Sequence, residues 1–243
     1  MRAPSASVLL GAWERGAGLP LVRRALVLLA AGSPGTPPDR LAALPIGQRN
    51  ARLLDLRART FGGDLVAITE CPACGGRVEA AFQPPAFDTP EAARPEICAC
   101  EIRGHAIEFR LPDTRDLEAC GHLDGVDEAR HALLRRLVLR AVRDGEPLAP
   151  EALPEDVVAG LAEEMDRRDP HADIRLACSC PHCAAVFGAG FDVGSYFWDE
   201  LDAWAARTLA EVHRLASAYG WSERDILEMS AWRRQAYLRL LAG

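Results

Sequence analysis

Two cysteine pairs constrain the fold of this chain more than any other feature of its sequence. They are CPACGG at residues 71–76 and CPHC at residues 180–183, and 105 residues lie between Cys74 and Cys180. Short runs with period-2 alternation and β-branched residues flank both pairs: DLVAITE and RVEAAF around the first, DIRLACS and AAVFGAGFD around the second. This pattern predicts a strand–knuckle–strand unit that occurs twice in the chain.

Four thiolates held in two knuckles make a closed tetrahedral metal site. We therefore predict one structural zinc ion per chain, bound at about 2.3 Å by Cys71, Cys74, Cys180 and Cys183. Closing so long a loop costs about 4 kcal/mol plus a constant, whereas structural zinc in small peptides contributes about 10–16 kcal/mol. The alternatives are four unligated thiols and a thioredoxin-like redox pair. The redox pair is disfavoured because neither CxxC opens a helix after a strand.

The other cysteines are predicted to be small buried apolar residues. Cys178 could compete with Cys180 as a ligand, but its CxC spacing fits a knuckle less well. A second metal site is a further alternative, and its ligands would be Cys98, Cys100, Cys120 and His122.

The sequence contains no catalytic constellation, so we predict that the protein is not an enzyme. No HExxH motif is present, and no GxSxG, P-loop or GxGxxG stands in a fitting context. The zinc deaminase signature is also absent, because both prolines lie inside the CxxC pairs and His105 is followed by Ala-Ile-Glu. A zinc hydrolase or deaminase is therefore the least favoured function.

The remaining sequence predicts an α+β fold that is mainly helical, with a small zinc-ribbon-like β unit built from the two separated knuckles. ICACEI and HAIEFRLP predict a further hairpin. The predicted helices are Leu21–Ala31, 47–60, 126–145 ending at Gly145, 154–168, about Ser195–Ala218 and two short C-terminal helices. We divide the chain into an N-terminal helical segment (1–60), the β unit (61–193, with a helical insertion at about 112–171) and a C-terminal helical unit (194–243).

Composition limits the classes of partner. The net charge of −7 argues against general nucleic-acid binding, although residues 1–60 carry nine Arg against three acidic residues. That surplus could favour an acidic partner or belong to solvated helix faces. RRALVLLAAG has basic and apolar parts like those of a signal peptide, but it begins more than twenty residues into the chain and its apolar run is too short. No stretch approaches the length of a membrane span. We therefore expect a cytoplasmic protein without a membrane partner.

The C-terminal helical unit is the predicted partner-binding region, because it combines many aromatic residues with arginines. Arg233 and Arg234, adjacent on the last helix, are the preferred contact residues. They could instead pair with Asp225 or Glu228, and most of the aromatic side chains could form the core of this unit.

Four stretches of the chain together resemble one protein family. They are LPIGQRNARLLDLRARTFGGDLVAITECPACG, FRLPDTRDL, the second CPHC, and YFWDELDAWAARTLAEVHRLASAYGWSERDILEMSAWRRQAYLRLL. The family is that of the baseplate hub assembly proteins, or chaperones, of T-even-type contractile phages and phage-tail-like contractile injection systems. The resemblance covers most of residues 20–243, although this chain has Gln-Arg-Asn where Gly-Arg-Asp-like residues are expected, and an additional Cys-Ala-Cys.

This resemblance implies a non-enzymatic role in assembling a contractile tail, with baseplate or hub proteins as partners. It implies the same four zinc ligands, and it leaves open whether the protein stays in the finished particle. The alternative function is a zinc-ribbon nucleic-acid-binding regulator. Its recognition helix would be SAWRRQAYLRLL, with Arg233, Arg234 and Arg239 as its only basic residues.

Overall fold

The structure is a computed structural model that describes residues 3–82 and 97–242. Residues 1–2, 83–96 and 243, which belong to the three units predicted from the sequence, lie outside the described residues. The helices are α1 (Ala6–Gly16), α2 (Leu21–Gly32), α3 (Pro38–Ala42), α4 (Ile46–Phe61), α5 (Thr114–Cys120), α6 (Val126–Leu137), α7 (Glu155–Arg168), α8 (Val193–Tyr219), α9 (Glu223–Glu228) and α10 (Ala231–Ala242). The strands are β1 (Leu65–Glu70), β2 (Arg77–Phe82), β3 (Cys98–Ile102), β4 (His105–Phe109), β5 (Val138–Arg143), β6 (Glu146–Pro147), β7 (Arg175–Ser179) and β8 (Val186–Gly190). The predicted α+β class, mainly helical, is confirmed.

Helices α1, α2, α4 and α8 enclose the main hydrophobic core. On α2 the buried positions Ala25, Leu28, Leu29 and Gly32 repeat at helical spacing, so one stripe of the helix faces the core. The long helix α8 crosses this core and contributes Phe197 and Leu201, which are both fully buried. The helix α1 was not predicted from the sequence.

The GQRN stretch at the start of α4 fixes the loop that leads into β7. The backbone N–H of Gly47 donates to the Asp169 carboxylate at 2.7 Å, and the Asn50 side chain donates to the His171 carbonyl at 2.8 Å. A Cβ at Gly47 would lie 2.3 Å from the Asp169 carboxylate, so a larger residue does not fit there. Residues more than a hundred positions apart are thereby held together.

Arg57 of α4 makes a second long-range connection. Its guanidinium is buried, donates to both carboxylate oxygens of Glu200 on α8, and donates to the carbonyls of Gly62 and Asp64 at 2.7 Å each. The side-chain hydrogen bond to Glu200 raises the pKa of Arg57, since it stabilises the charged form against the effect of burial. This arginine therefore orients α4, α8 and the turn that begins β1.

The described strands form three antiparallel sheets. Two are the hairpins β1–β2 and β7–β8, as predicted, and the third has the order β3-β4-β5-β6. The four-stranded sheet packs against α7 and has its own core, which includes Ile107, Phe109 and Leu161.

The helix predicted over residues 126–145 is wrong in its second half. The helix ends at Leu137, and Val138–Arg143 forms β5, which pairs with β4 and turns into β6. Asp144 and Gly145 both have positive φ, as a type I′ hairpin turn requires. VLRAVR fits both helical and strand spacing, and the unpaired edge of β4 decides in favour of the strand.

Asp116 on α5 connects the four-stranded sheet to the helices. Its fully buried carboxylate accepts hydrogen bonds from Arg110 at 2.6 and 2.7 Å, from Arg136 at 2.7 Å and from the backbone N–H of Asp113 at 2.9 Å. Burial alone would raise the pKa of Asp116, but these donors lower it to about 2.

The C-terminal helices pack on one end of α8 around Val212, Leu215, Ile226 and Leu238. Tyr219, Trp221 and Tyr237 form an aromatic cluster beside this core, with ring centroids 4.5–5.7 Å apart. None of the helices among residues 3–82 and 97–242 combines the length and apolar character needed to cross a membrane.

Candidate metal centre

The first knuckle is the tight turn between β1 and β2. The backbone N–H of Cys71 donates to the Gly76 carbonyl, and that of Gly75 donates to the Cys71 carbonyl, both at 2.8 Å. Gly75 has a φ of 70°, in the left-handed region that glycine adopts without a steric penalty. These bonds curl the chain so that both cysteine side chains of the turn point to the same side.

The second knuckle repeats this backbone pattern between β7 and β8. The N–H of Cys180 donates to the Ala185 carbonyl at 2.9 Å, and that of Ala184 donates to the Cys180 carbonyl at 3.0 Å. Ala184, at the position that Gly75 occupies in the first knuckle, has a φ of 62°. A non-glycine residue therefore holds a left-handed conformation beside the site.

The two knuckles bring the four predicted cysteines together. Their sulfur atoms all lie within 4.8 Å of one another, with 3.7 Å from Cys71 to Cys183 and 3.6 Å from Cys74 to Cys180. A regular tetrahedron of sulfurs at about 2.3 Å from a central ion has sulfur–sulfur distances of about 3.8 Å. The cluster therefore has the size that a tetrahedral four-thiolate metal site needs.

Burial differs within each pair in the same way. Cys71 and Cys180 are buried, whereas Cys74 and Cys183 are exposed. The buried pair packs with Val78 and Cys178 in a small apolar cluster between the hairpins. The centre thus sits at the protein surface with one side closed by the apolar residues of both hairpins.

The electrostatics of the cluster favour a thiolate at Cys180 and a protonated thiol at Cys183. Burial tends to raise the pKa of Cys180, but the backbone N–H groups of His182 and Cys183 and the neighbouring thiols lower it to about 6. At Cys183 the N–H of Ala185 tends to lower the pKa, but Cys74 and Cys180 raise it to about 12. Since four negative sulfurs repel one another, a bound cation is what allows all of them to ionise.

The remaining cysteines do not join this centre. Cys178 points into the apolar cluster, and its thiol lies 3.6 Å from the Leu176 carbonyl, so Cys180 rather than Cys178 lies in the cluster with the other three knuckle cysteines. Cys98 is buried in the core of the four-stranded sheet, while Cys120 ends α5 with its thiol 3.8 Å from the Ala129 carbonyl. Within the described part of the chain, the cluster of four knuckle cysteines is the one group that could hold a metal ion, so the alternative second site, which included Cys100 and His122, is not assembled.

The ligand set has no histidine or carboxylate that would mark a catalytic site. The exposed His182 lies over the first knuckle, where a Cβ on Gly76 would meet its ring at 2.5 Å. Glu108, the acid nearest to His105 in the sequence, lies on β4 of the four-stranded sheet and not in either knuckle hairpin. It faces Arg140 of β5 at 3.6 Å. A closed set of four sulfurs is typical of structural sites rather than catalytic ones.

The two arginines predicted to contact a partner lie on different faces of α10. Arg234 is 4% exposed, and it donates to Glu211 of α8 at 3.0 Å and to the Met229 carbonyl at 2.8 Å. Arg234 is therefore a packing residue, and its prediction as a contact residue is wrong; it pairs with neither Asp225 nor Glu228. Arg233 is exposed, and its guanidinium lies 5.8 Å from the centre of the Tyr237 ring.

The burial of Arg234 disfavours α10 as a nucleic-acid recognition helix. Arg234 is one of the only three basic residues on that helix, and it faces α8 rather than solvent. Of the C-terminal aromatic residues, Trp221 and Tyr237 pack against the core of this unit, whereas Phe197 and Trp198 belong to the main core. Trp232 is 76% exposed.

The fold and the centre together define an α+β protein, mainly helical, with one four-cysteine cluster suited to a metal ion. Comparisons with protein-family models, with curated proteins and with solved structures give no match to this chain.

Proposed function

We propose that the metal is zinc and that it clamps the two hairpins together. The observation that carries this proposal is the all-sulfur cluster of Cys71, Cys74, Cys180 and Cys183 with its tetrahedral spacing. Four thiolates in a tetrahedron select zinc or iron, and d¹⁰ zinc gives a colourless protein whereas an iron–thiolate centre absorbs visible light. Elemental analysis combined with a visible spectrum distinguishes the two metals, and a coloured protein that contains iron would contradict zinc.

The proposed role of zinc is structural. The two-stranded hairpins are short, and a single two-stranded hairpin is marginally stable in water. A shared metal joins them into one unit and supplies folding free energy that their small apolar cluster cannot. The thiols must remain reduced to bind zinc, which fits the reducing cytoplasm that the sequence suggested.

We further propose that the protein is a non-enzymatic assembly factor, or a minor component, of a contractile phage-tail-like baseplate. The proposal rests on the resemblance of four sequence stretches to baseplate hub assembly proteins. The contacts of those stretches support it, because Arg57 in the GQRN-to-FGG stretch bonds Glu200 in the C-terminal stretch. The resembling residues thus include ones that hold this fold together, and the closed metal centre fits a role without catalysis.

Co-expression tests this function directly. The chain is produced with a cleavable tag together with the sheath, tube, hub and baseplate proteins encoded beside it, and captured material is identified by mass spectrometry. The proposal expects one hub or baseplate protein at a fixed ratio to the chain. If the neighbouring genes encode no tail proteins, or if the tail proteins flow through at physiological salt, the assembly function is wrong while the zinc centre is unaffected.

A further inference from the structure

The last helix, α10, has apolar residues on two opposite faces. Its inner face holds Leu238 in the C-terminal core and anchors Arg234 to Glu211. Gln235 donates to the other oxygen of Glu211 at 2.5 Å, so α10 is fixed to α8 by two side chains as well as by packing. A helix that is apolar on both faces is normally covered on both. Only the inner face is covered by the described residues.

The opposite side, which we name the outer face of α10, consists of Trp232, Arg233, Ala236, Arg239 and Leu240. Trp232 and Leu240 are 76% and 73% exposed, among the most exposed large apolar side chains that the structure describes. With about 100° between successive residues, Trp232, Ala236 and Leu240 form one stripe about 12 Å long, and the small Ala236 lies at its middle. Such a stripe allows another helix to approach closely.

The charged side chains that α10 itself places beside this stripe are of one sign. At about 100° per residue, Arg239 borders the stripe on one side and Arg233 on the other, and α10 contains no acidic residue. Neither arginine forms an ion pair with the residues described in the structure, although Arg233 lies over the Tyr237 ring. Around this helix the protein therefore presents exposed positive charge, in contrast to its net charge of −7.

We propose that the outer face of α10 binds an amphipathic helix of a partner protein, with large apolar residues along its centre and Asp or Glu on both flanks. Trp and Arg are the residue types that most often dominate binding free energy at interfaces, and here they alternate around an apolar stripe. Acidic flanks would complement Arg233 and Arg239. This inference rests on the proposed function only in taking the partner to be a hub or baseplate protein.

A second copy of this chain does not fit the same face. An antiparallel α10 pair centred on Ala236 would place Arg233 of one copy opposite Arg239 of the other, and a parallel pair would place identical arginines side by side. Like charges juxtaposed at an interface oppose association. The charge pattern therefore favours a different, acidic partner.

Site-specific photo-crosslinking tests this surface. A photoreactive phenylalanine analogue replaces Trp232 in the full chain, which is co-expressed with the baseplate proteins, irradiated and digested for mass spectrometry. The control carries the analogue at Val126, which is 87% exposed on α6. We expect crosslinks from position 232, and not from 126, to a segment with apolar residues three and four apart and acidic flanks. Crosslinks to a second copy of the chain, to lipid or to an extended basic segment would overturn the proposal.

Substitutions on the outer face provide a quantitative test of binding. Trp232→Ala combined with Arg233→Gln and Arg239→Gln should weaken co-purification of the partner by at least about tenfold without changing zinc content. Arg140→Gln with Arg143→Gln on β5, both exposed, is the matched charge control and should have no effect. Raising salt from about 0.1 M to about 1 M shortens the screening length from about 10 Å to about 3 Å, so binding should weaken in the wild type.

The outcomes separate this surface from the proposed function. If a tail protein co-purifies equally with the wild type and with the triple variant, the assembly function stands and the outer face is not the binding surface. If no tail protein binds but position 232 crosslinks to an acidic amphipathic helix of another protein, the surface stands and the baseplate function is wrong.

Discussion

Exchanging the residues at the left-handed positions of the two knuckles should change stability in opposite directions. Ala184 and Gly75 occupy equivalent positions, with φ of 62° and 70°, and each donates its backbone N–H to the first cysteine of its own knuckle. Because these bonds involve only the backbone, substitution at either position preserves them. The expected effect is therefore conformational rather than a loss of contacts.

The magnitude follows from two opposing terms. A left-handed conformation costs an L-residue about 1–2 kcal/mol, while glycine loses about 0.5–1 kcal/mol more chain entropy on folding than alanine. Ala184→Gly should thus stabilise the protein by about 0.5–1 kcal/mol. A Cβ added at Gly75 would meet no atom within 4 Å, so Gly75→Ala should destabilise by a similar amount with no clash.

Thermal unfolding followed by circular dichroism, with the zinc content of each variant measured in parallel, is the assay. For a chain of this size about 1 kcal/mol corresponds to about 2–4 °C. We expect Tm to rise by about 1–4 °C in Ala184→Gly, to fall comparably in Gly75→Ala, and to return to the wild-type value in the double variant. A lower Tm for Ala184→Gly at full zinc occupancy would refute the assignment of backbone strain to the second knuckle.

Three further predictions concern the metal, acid stability and the last helix. Cys183→Ser should lose the metal and about 4 kcal/mol or more of stability, whereas Cys178→Ser, outside the ligand set, should keep a full equivalent of metal. Because the pKa of Asp116 is lowered to about 2, its carboxylate should contribute roughly 2 kcal/mol to the free energy of unfolding above about pH 4, and this contribution is lost as the pH falls through 2. The free energies of unfolding in urea of the wild type and of Asp116→Asn should therefore converge in acid. Arg234→Ala should cost about 2 kcal/mol because it removes a buried side chain and leaves the partly buried Glu211 and the Met229 carbonyl without its hydrogen bonds, whereas Arg233→Ala should stay within about 0.5 kcal/mol. Equal melting temperatures for these two variants would contradict the burial difference.

The knuckles could be predicted from the sequence because their signals are local. Cysteine spacing, the following Gly75 and period-2 alternation lie within a few residues of each other, and together they fix the turn, the strands and the positions of the cysteine thiols. The pairing of two knuckles so far apart also followed, because a single CxxC leaves a tetrahedral metal with half its ligands. The bounds of α4, α7 and α8 were predicted to within a few residues for the same reason of local periodicity.

The remaining features depend on long-range packing. Val138–Arg143 fits a helix on its own pattern and becomes a strand only because β4 offers an edge to it. Arg233 and Arg234 are adjacent and chemically identical, so only the docking of α10 on α8 decides which is buried. The bonds from Gly47 to Asp169 and from Arg57 to Glu200 likewise join residues that no local pattern connects.

The zinc content of the native chain tests the central claim most directly. Native mass spectrometry of protein purified without added metal should find one zinc per chain, and a thiol reagent should leave the four knuckle cysteines unmodified until a chelator removes the metal. A metal-free chain that remains folded, with Cys71, Cys74, Cys180 and Cys183 all reacting at once, would contradict the account.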